Sequence, residues 1–454
     1  MSETTQPINN ISFLKSNWAN IFNPLGFSCI AYILYFIINY FGTQIFTPEI
    51  YGDLFLAWTW IAISGSGIML GVDQSCRIFV SNFLFKRDQE SIKTYLHWGL
   101  RFVRKAFLCS LILAVICYIL FNPLHFPHQA FFTFEPNEWH KFYAFVFIAT
   151  PIVGIGNWLS SLLIAYKETA SSTFMQFTAT DMTLIIVMGF FFAFAPLPLS
   201  GFHGRLILIG SFMIATLIGV MLCAIKIKSF FKICFSNQYI MKTNKAWATE
   251  CYKQALNMLI YNLIANLDII LMGFYEKGNS DVAYYNLALM IINLVVMIPY
   301  SVFQYLTPDV NFFLKNKSRS DKFQALWNKT LIINALIVLG ISGITFLYLD
   351  QILAIFGEKY IAAKPFVVIL LYGNCFAALL GAPYFILQYG NHVQKFVQIN
   401  LSCIVTMIVL AKLLVPTLGS IGIAYASISC IILQNASSAF MVKRHTSIKP
   451  LGFI

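Results

Sequence analysis

Twelve long stretches of the chain carry almost no charge, and that pattern decides what the chain can fold into. The charge-free windows run 16–48, 54–72, 106–134, 142–166, 182–204, 206–225, 282–308, 330–349, 365–394, 396–411 and 413–442; a twelfth, 254–275, is broken only by Asp268. A helix needs about 20 largely apolar residues to cross a bilayer. Charged residues make up 11% of the 454, against roughly a quarter in an average soluble domain, so the chain cannot cover a water-facing surface of its size. A soluble enzyme and a disordered chain are excluded. The expected class is an all-α integral membrane protein with twelve transmembrane helices, since lipid leaves each backbone polar group to be satisfied within its own helix. The 54–72 window is expected to continue past Asp73 and Arg77 to about Phe85. The 182–204 window is expected to begin near Thr173, which places Asp181 inside a helix.

Alternating helices assign each connecting segment to a side. Twenty-three of the 30 Lys and Arg fall on one set of segments and six on the other, with Arg77 left inside a span. The positive-inside rule then predicts both termini in the cytoplasm. The net charge of +12 is explained by this bias together with contact to anionic lipid headgroups, and nucleic acid is not required as a partner. No cleavable signal peptide is expected, and the first helix serves as the insertion signal. Of the ten cysteines, eight lie in expected helices and two, Cys234 and Cys251, in or beside an inside segment. No disulfide framework, metal cage or cofactor is expected. No phosphate-cradling loop of the P-loop type occurs, so no ATPase of its own is expected.

The chain reads as duplicated. Ile50-Tyr51-Gly52-Asp53-Leu54-Phe55-Leu56 opens the second helix and Ala283-Tyr284-Tyr285-Asn286-Leu287-Ala288-Leu289 opens the eighth. Tyr, an Asx residue and two Leu coincide between them. The expected division is an N-terminal six-helix lobe at 1–225, a basic cytoplasmic linker at 226–253, and a C-terminal six-helix lobe with a short cytoplasmic tail at 254–454. Six helices per half give both halves the same orientation, the parallel-repeat arrangement of several transporters. Within the linker, Ile227 to Trp247 reads as a basic, aromatic segment lying on the inner membrane surface.

Several motifs follow one another along the chain: Thr47-Pro48-Glu49-Ile50-Tyr51-Gly52 with Leu56-Ala57; Asn266-Leu267-Asp268-Ile269-Ile270-Leu271-Met272-Gly273-Phe274; Val282 to Leu289, then Pro308; Ile352 to Tyr360; and Leu387-Gln388-Tyr389-Gly390-Asn391. In order and spacing they resemble the polysaccharide-export branch of the MOP superfamily, which also contains the MATE drug exporters. Where that family usually has Val-Gly-x-Tyr, this chain has Val282-Ala283-Tyr284. The resemblance implies two six-helix bundles rocking about a central cavity. It also implies a substrate, an oligosaccharide on polyprenyl pyrophosphate flipped from the cytoplasmic to the outer leaflet of a bacterial inner membrane. H+ or Na+ would be the coupling ion and a glycan polymerase a partner.

That task asks for intramembrane charge, because an unpaired pyrophosphate cannot enter hydrocarbon. Arg77 is the one basic residue within an expected span, with Asp73 four residues earlier on the same helical face. The pair is either an internal ion pair or part of a pyrophosphate site, and Arg suits the latter because its planar fork grips phosphate at two points. Gln74 adds a polar group beside them. Asp268, with Asn257 and Tyr261 on roughly the same face, forms an expected polar stripe. Asp268 and, more weakly, Asp181 are candidate ion-coupling residues. Glu168 reads as interfacial, and Asn20, Asn23 and Asn157 bond either sugars or neighbouring helices. Pro24, Pro151, Pro299 and Pro383 are expected in or near spans. Segment 84–105, with Arg101 and Arg104, gathers headgroups or simply sets topology.

Two other functions compete. A MATE-type multidrug or cation antiporter would share the fold, but a cavity for cationic drugs has little use for Arg77. A membrane glycan polymerase or ligase would also carry about twelve helices, and such enzymes use a large outside loop bearing catalytic Arg or His. Here the longest such loop, about 122–141, holds His125, His128 and His140 with Lys141 as its one cation.

Overall fold

The computed structural model describes residues 30, 32–120, 139–166, 168, 171–172, 174–194, 199, 201–234, 245–275, 280–296, 320–389, 393–446 and 448–450. Asn20, Asn23, Pro24, Pro299, Pro308, His125, His128 and the pair Gly390-Asn391 lie outside the described residues. Among the described residues the chain is helix and turn, apart from one parallel bridge between Phe46 and Leu199.

The helices are α1 (32–45), α2 (Pro48–Ile68), α3 (Val72–Phe85), α4 (Gln89–Leu120), α5 (Trp139–Ala165), α6 (Ala179–Phe194), α7 (Gly201–Cys234), α8 (Lys245–Tyr275), α9 (Ser280–Val296), α10 (Ser320–Leu347), α11 (Leu349–Ile355), α12 (Lys364–Leu380), α13 (Tyr384–Tyr389), α14 (Val393–Leu418) and α15 (Ile421–His445). A π-turn at Phe174–Thr178 leads into α6, and a 3-10 turn at Glu358–Ala363 leads into α12. Seven described helices are long and apolar enough to cross a membrane, and α6 and α9 are shorter apolar helices. In chain order, α1, the α2–α3 pair, α4 to α10, α12, α14 and α15 occupy the twelve charge-poor windows in two bundles. The chain is a multi-pass membrane protein. With spans alternating in direction, as the charge bias predicts, the molecule has a basic end and a charge-poor end.

Four boundaries differ from the sequence reading. The second span is not one helix: it breaks at Leu70 and Gly71, both at positive φ (43° and 75°). A Cβ on Gly71 would lie 2.1 Å from the Cys251 carbonyl oxygen and 2.6 Å from the Ala255 nitrogen, so the backbone of α8 fills the side-chain space. The third charge-free stretch from the C-terminus, 365–394, likewise splits, because Gly381 turns at φ 72° and Pro383 follows. The third span starts at Gln89, well before window 106–134, and carries Lys93, Arg101, Arg104 and Lys105 within α4. Asp88 caps that start by accepting from the Ser91 N–H (3.0 Å) and hydroxyl (2.6 Å), which holds its carboxyl below the usual carboxylate range. Lys412, read as a loop residue, lies inside α14, since the chain turns only at Gly419 (φ 62°). Its long stem can carry the ammonium to the interface.

Residues 226–253 contain the end of α7 and the start of α8, with 235–244 outside the described residues. Ile227 and Trp247 were expected on the membrane surface; both are buried instead. The Trp247 ring packs against Phe79, Phe83, Tyr95 and Trp98, in a core at the basic end built by α3, α4, α5 and α7. The larger core runs from α1 and α2 through α8, α9, α12, α14 and α15.

The two halves meet along α8, which lies antiparallel to α2 and α3. Leu56 approaches Gly273, Gly67 faces Leu259, and Gly71 abuts Cys251 and Ala255. Ser75 Oγ reaches both Tyr95 Oη (2.7 Å) and Cys251 Sγ (2.8 Å), fastening the start of α8 to α3 and α4. Gly71→Ala should destabilise the folded protein by at least about 2 kcal/mol, from the left-handed backbone and the overpacked α8 contact. Gly210→Ala, with nothing within 4 Å of its added carbon, should not. Thermal unfolding of both variants in one detergent checks this; equal midpoints would contradict it.

Candidate functional site

Arg77 lies in α3, eight residues from its basic end, about 12 Å at the helical rise. It does not form the expected ion pair with Asp73. Its Nε donates instead to Ser161 Oγ of α5 at 3.0 Å, and much of the side chain is exposed. Both residues lie within the same helix, and each side chain has a different partner. Val72 starts α3, so Asp73 sits in its first turn, buried, and accepts from Gln74 Nε2 at 3.1 Å. Ser161 is fully buried, and half-buried Asn157 lies one turn from it in α5. Arg77 and Ser161 therefore join α3 to α5, with Asn157 one helical turn from Ser161.

Asp268 is held within the second bundle. Its Oδ2 accepts from Tyr285 Oη of α9 (2.8 Å) and Ser427 Oγ of α15 (3.1 Å), and its Oδ1 takes the Ile269 N–H (2.9 Å). The register of three helices brings this about. Asp268 is seven residues from the end of α8, Tyr285 five from the start of α9 and Ser427 six from the start of α15. All three thus lie about 8–10 Å below the charge-poor ends of their helices. The expected stripe is uneven: Asp268 is 6% exposed and Tyr261 44%, with Asn257 half-buried. The basic-end half of α8 leaves its polar face open, while the other half is enclosed by α9, α14 and α15.

Asp181 is in the first turn of α6, half-buried, and acts electrostatically on half-buried Tyr35 of α1. Glu168 accepts from Ser171 Oγ (2.8 Å) and stands 3.9 Å from Lys226 Nζ.

Sequence reasoning missed the polar groups of the charge-poor end. Arg205 Nε, at the start of α7, meets buried Asp53 Oδ2 of α2 at 2.7 Å. Removing one partner of such a pair leaves a costly buried charge. The 152-residue separation hides the pair from any local pattern. Tyr51 Oη donates to Asn39 Oδ1 (2.6 Å), both side chains fully buried. Across to the second half, Gln44 Nε2 donates to the Phe356 carbonyl (3.1 Å), Tyr32 Oη donates to the Met290 carbonyl, and the Phe36 and Phe356 rings meet edge-on. These contacts tie the two halves together from this end down to mid-span, where Tyr32 and Met290 lie. A nearly apolar groove of about 630 Å³ lies apart from them, between the 3-10 turn, α12 and α15, with Lys364 at its edge.

No protein-family profile matches the sequence, and no curated protein matches it either. Solved structures do match in shape. An inward-facing multidrug resistance MATE family transporter of the MOP superfamily superposes with a TM-score of 0.67 at 13% identity, over 91% of this chain and 93% of that one. The lipid II flippase MurJ, in an inward closed conformation, gives 0.67 at 13% identity over 92% and 87%. A MOP superfamily transporter from Pyrococcus furiosus, described as having a binding pocket of reversed polarity, gives 0.61 at 11% identity over 93% and 94%. The chain has the fold shared by these MOP superfamily transporters.

Proposed function

We propose that the chain is a flippase that moves a polyprenyl-pyrophosphate-linked oligosaccharide from the cytoplasmic to the outer leaflet of a bacterial inner membrane. The carrying observation is Arg77: a guanidinium exposed within a membrane-spanning segment and oriented by Ser161. A charge at that depth does not face hydrocarbon, so the space beside it is wet. An open cation fits a phosphate and not a cationic drug. The basic end is then cytoplasmic, the side on which a pyrophosphate-linked precursor is assembled. The closed seam at the charge-poor end agrees with an inward-accessible state. Gln74, Asn157, Asn257 and Tyr261 supply neutral polar groups for the cargo, and no bond is made or broken.

Coupling to H+ or Na+ is assigned to Asp268, with Asp181 as a second candidate. The drug-exporter reading draws support from the MATE likeness, whose TM-score equals that of MurJ.

Two sets of variants test the proposal in proteoliposomes, with lipid-linked oligosaccharide and a leaflet-specific probe. Arg77→Gln should fold and lose flipping by at least about tenfold, the scale of one charge-assisted hydrogen bond. Arg77→Lys should be intermediate, because it keeps the charge and loses the two-point grip. Wild-type flipping by Arg77→Gln would refute the pyrophosphate role, and export of a lipophilic cation in place of the glycan would favour the exporter.

Asp268→Leu strips Tyr285 and Ser427 of their acceptor and should cost at least about 2 kcal/mol of stability. Asp268→Asn should assemble and lose ion-coupled transport. Full coupled transport by Asp268→Asn would remove Asp268 from the coupling role.

A further inference from the structure

Beyond α15 the chain turns and crosses the basic end of the second bundle to α10. Thr446 leaves the helix in an extended conformation (φ −130°, ψ 166°). Its hydroxyl donates to the Val442 carbonyl (2.8 Å) and accepts from the Ile448 N–H (3.2 Å), which fixes the direction of exit. Ile448 and Pro450 are then buried, with Lys449 exposed between them.

Two side chains of α10 receive this segment. Gln324 Nε2 donates to the Lys449 carbonyl and Gln324 Oε1 accepts from the Lys449 N–H, both at 2.7 Å, so one amide holds both polar groups of one residue. Gln324 Nε2 also donates to Asn328 Oδ1 of the same helix (2.6 Å). Trp327 Nε1 donates to the Pro450 carbonyl at 3.0 Å, and its ring is fully buried only seven residues from the start of α10. Elsewhere α10 packs against α11 and α12, while α15 packs against α8, α12, α13 and α14. Segment 446–450 thus ties the basic end of α10 to that of α15.

The closed arrangement carries a cost. In α10, Asn334 lies seven residues beyond Trp327, about 10 Å, buried with neither Nδ2 nor Oδ1 partnered. In α15, Asn435 Oδ1 and Ser438 Oγ are also buried and unpartnered, about 15 and 10 Å from the end of the helix at His445. Native structures seldom leave such groups unpaired, and water would satisfy all of them. The Gln324–Lys449 bonds that hold the segment down are themselves exposed, where local opening costs least. The opening also leads somewhere. Ser438 lies three helical turns from Ser427 on the same face of α15, and Ser427 donates to Asp268.

We propose that segment 446–450 is a latch. Closed, it seals the basic side of the second bundle. Open, it admits water to Asn334, Asn435 and Ser438, along the face of α15 that reaches Asp268. Service to Asp268 rests on the ion-coupling reading; the latch itself does not.

The test uses the full chain in nanodiscs, with Ser438→Cys as reporter and exposed Cys109 replaced by Ser. The probe is a small water-soluble methanethiosulfonate, with labelling at each cysteine read by peptide mass spectrometry. Cys223, buried in the core of the first bundle, is the internal reference. Trp327→Phe keeps a ring and removes one bond; Gln324→Leu keeps the volume and removes the amide. Each should speed labelling of the reporter about three- to tenfold, the effect of one lost hydrogen bond on an opening equilibrium, with Cys223 unchanged. A gain of less than about threefold in both variants would make the segment passive packing and overturn the latch. An equal gain at Cys223 would mark general loosening and overturn it too. If the reporter responds as expected and Asp268→Asn keeps full coupled transport, the latch stands and its service to Asp268 falls.

Discussion

The architecture depends on how closely α8 lies against α2 and α3. At one end Leu56 packs onto Gly273; at the other, the left-handed turn at Gly71 admits the backbone of Cys251 and Ala255. A side chain on Gly71 would meet the backbone of α8 and push the halves apart, whereas one on Gly273 would displace the end of the Leu56 side chain. In lipid no hydrophobic force holds helices together, so small residues and close backbones must do it. α8 is thereby shared: its basic-end half is packed with Trp247 and Cys251 in the core of the first bundle, and its other half lies with α9, α14 and α15.

The same packing separates two kinds of chemistry. Near the basic end the helix restarts after Gly71, with Asp73 buried in its first turn and Arg77 bonded to Ser161. Near the charge-poor end the polar groups are carboxylates, amides and tyrosines, with the Asp53–Arg205 pair neutralised. A cargo with a pyrophosphate and a sugar would find a cation near its entry and neutral hydrogen-bonding groups near its exit. Asp268 stands aside from both, enclosed by Tyr285 and Ser427.

Much of this was legible in the sequence, for physical reasons. The all-helical, multi-pass class follows from the cost of charge in hydrocarbon, which any charge map displays. The internal repeat was visible because Tyr51 and Tyr284 keep their places relative to neighbouring Leu residues. What stayed hidden depends on contacts between distant segments. Gly71 looks like any glycine in an apolar run until the backbone of α8 is beside it. The i, i+4 spacing of Asp73 and Arg77 allowed an ion pair, but Asp73 bonds to Gln74 and Arg77 to Ser161 of a distant helix. Lys412 looked like a loop residue because a single charge can be drawn to an interface from within a helix. No local pattern joins Asp53 to Arg205, or both repeat tyrosines to Tyr360.

The central claim is that cargo leaves through the seam that the two halves close at their charge-poor end. Glu49 and Asp281 flank that seam from opposite halves, and both act on Tyr284. A Glu49→Cys, Asp281→Cys variant, with exposed Cys109 replaced by Ser, can be bridged by a short thiol-reactive crosslinker containing a reducible bond. The bridged protein should still bind lipid-linked oligosaccharide but move none of it to the opposite leaflet, and reduction of the bridge should restore the rate of the unbridged variant. Translocation by the bridged protein at the unbridged rate would show that the seam never opens, and would contradict the account.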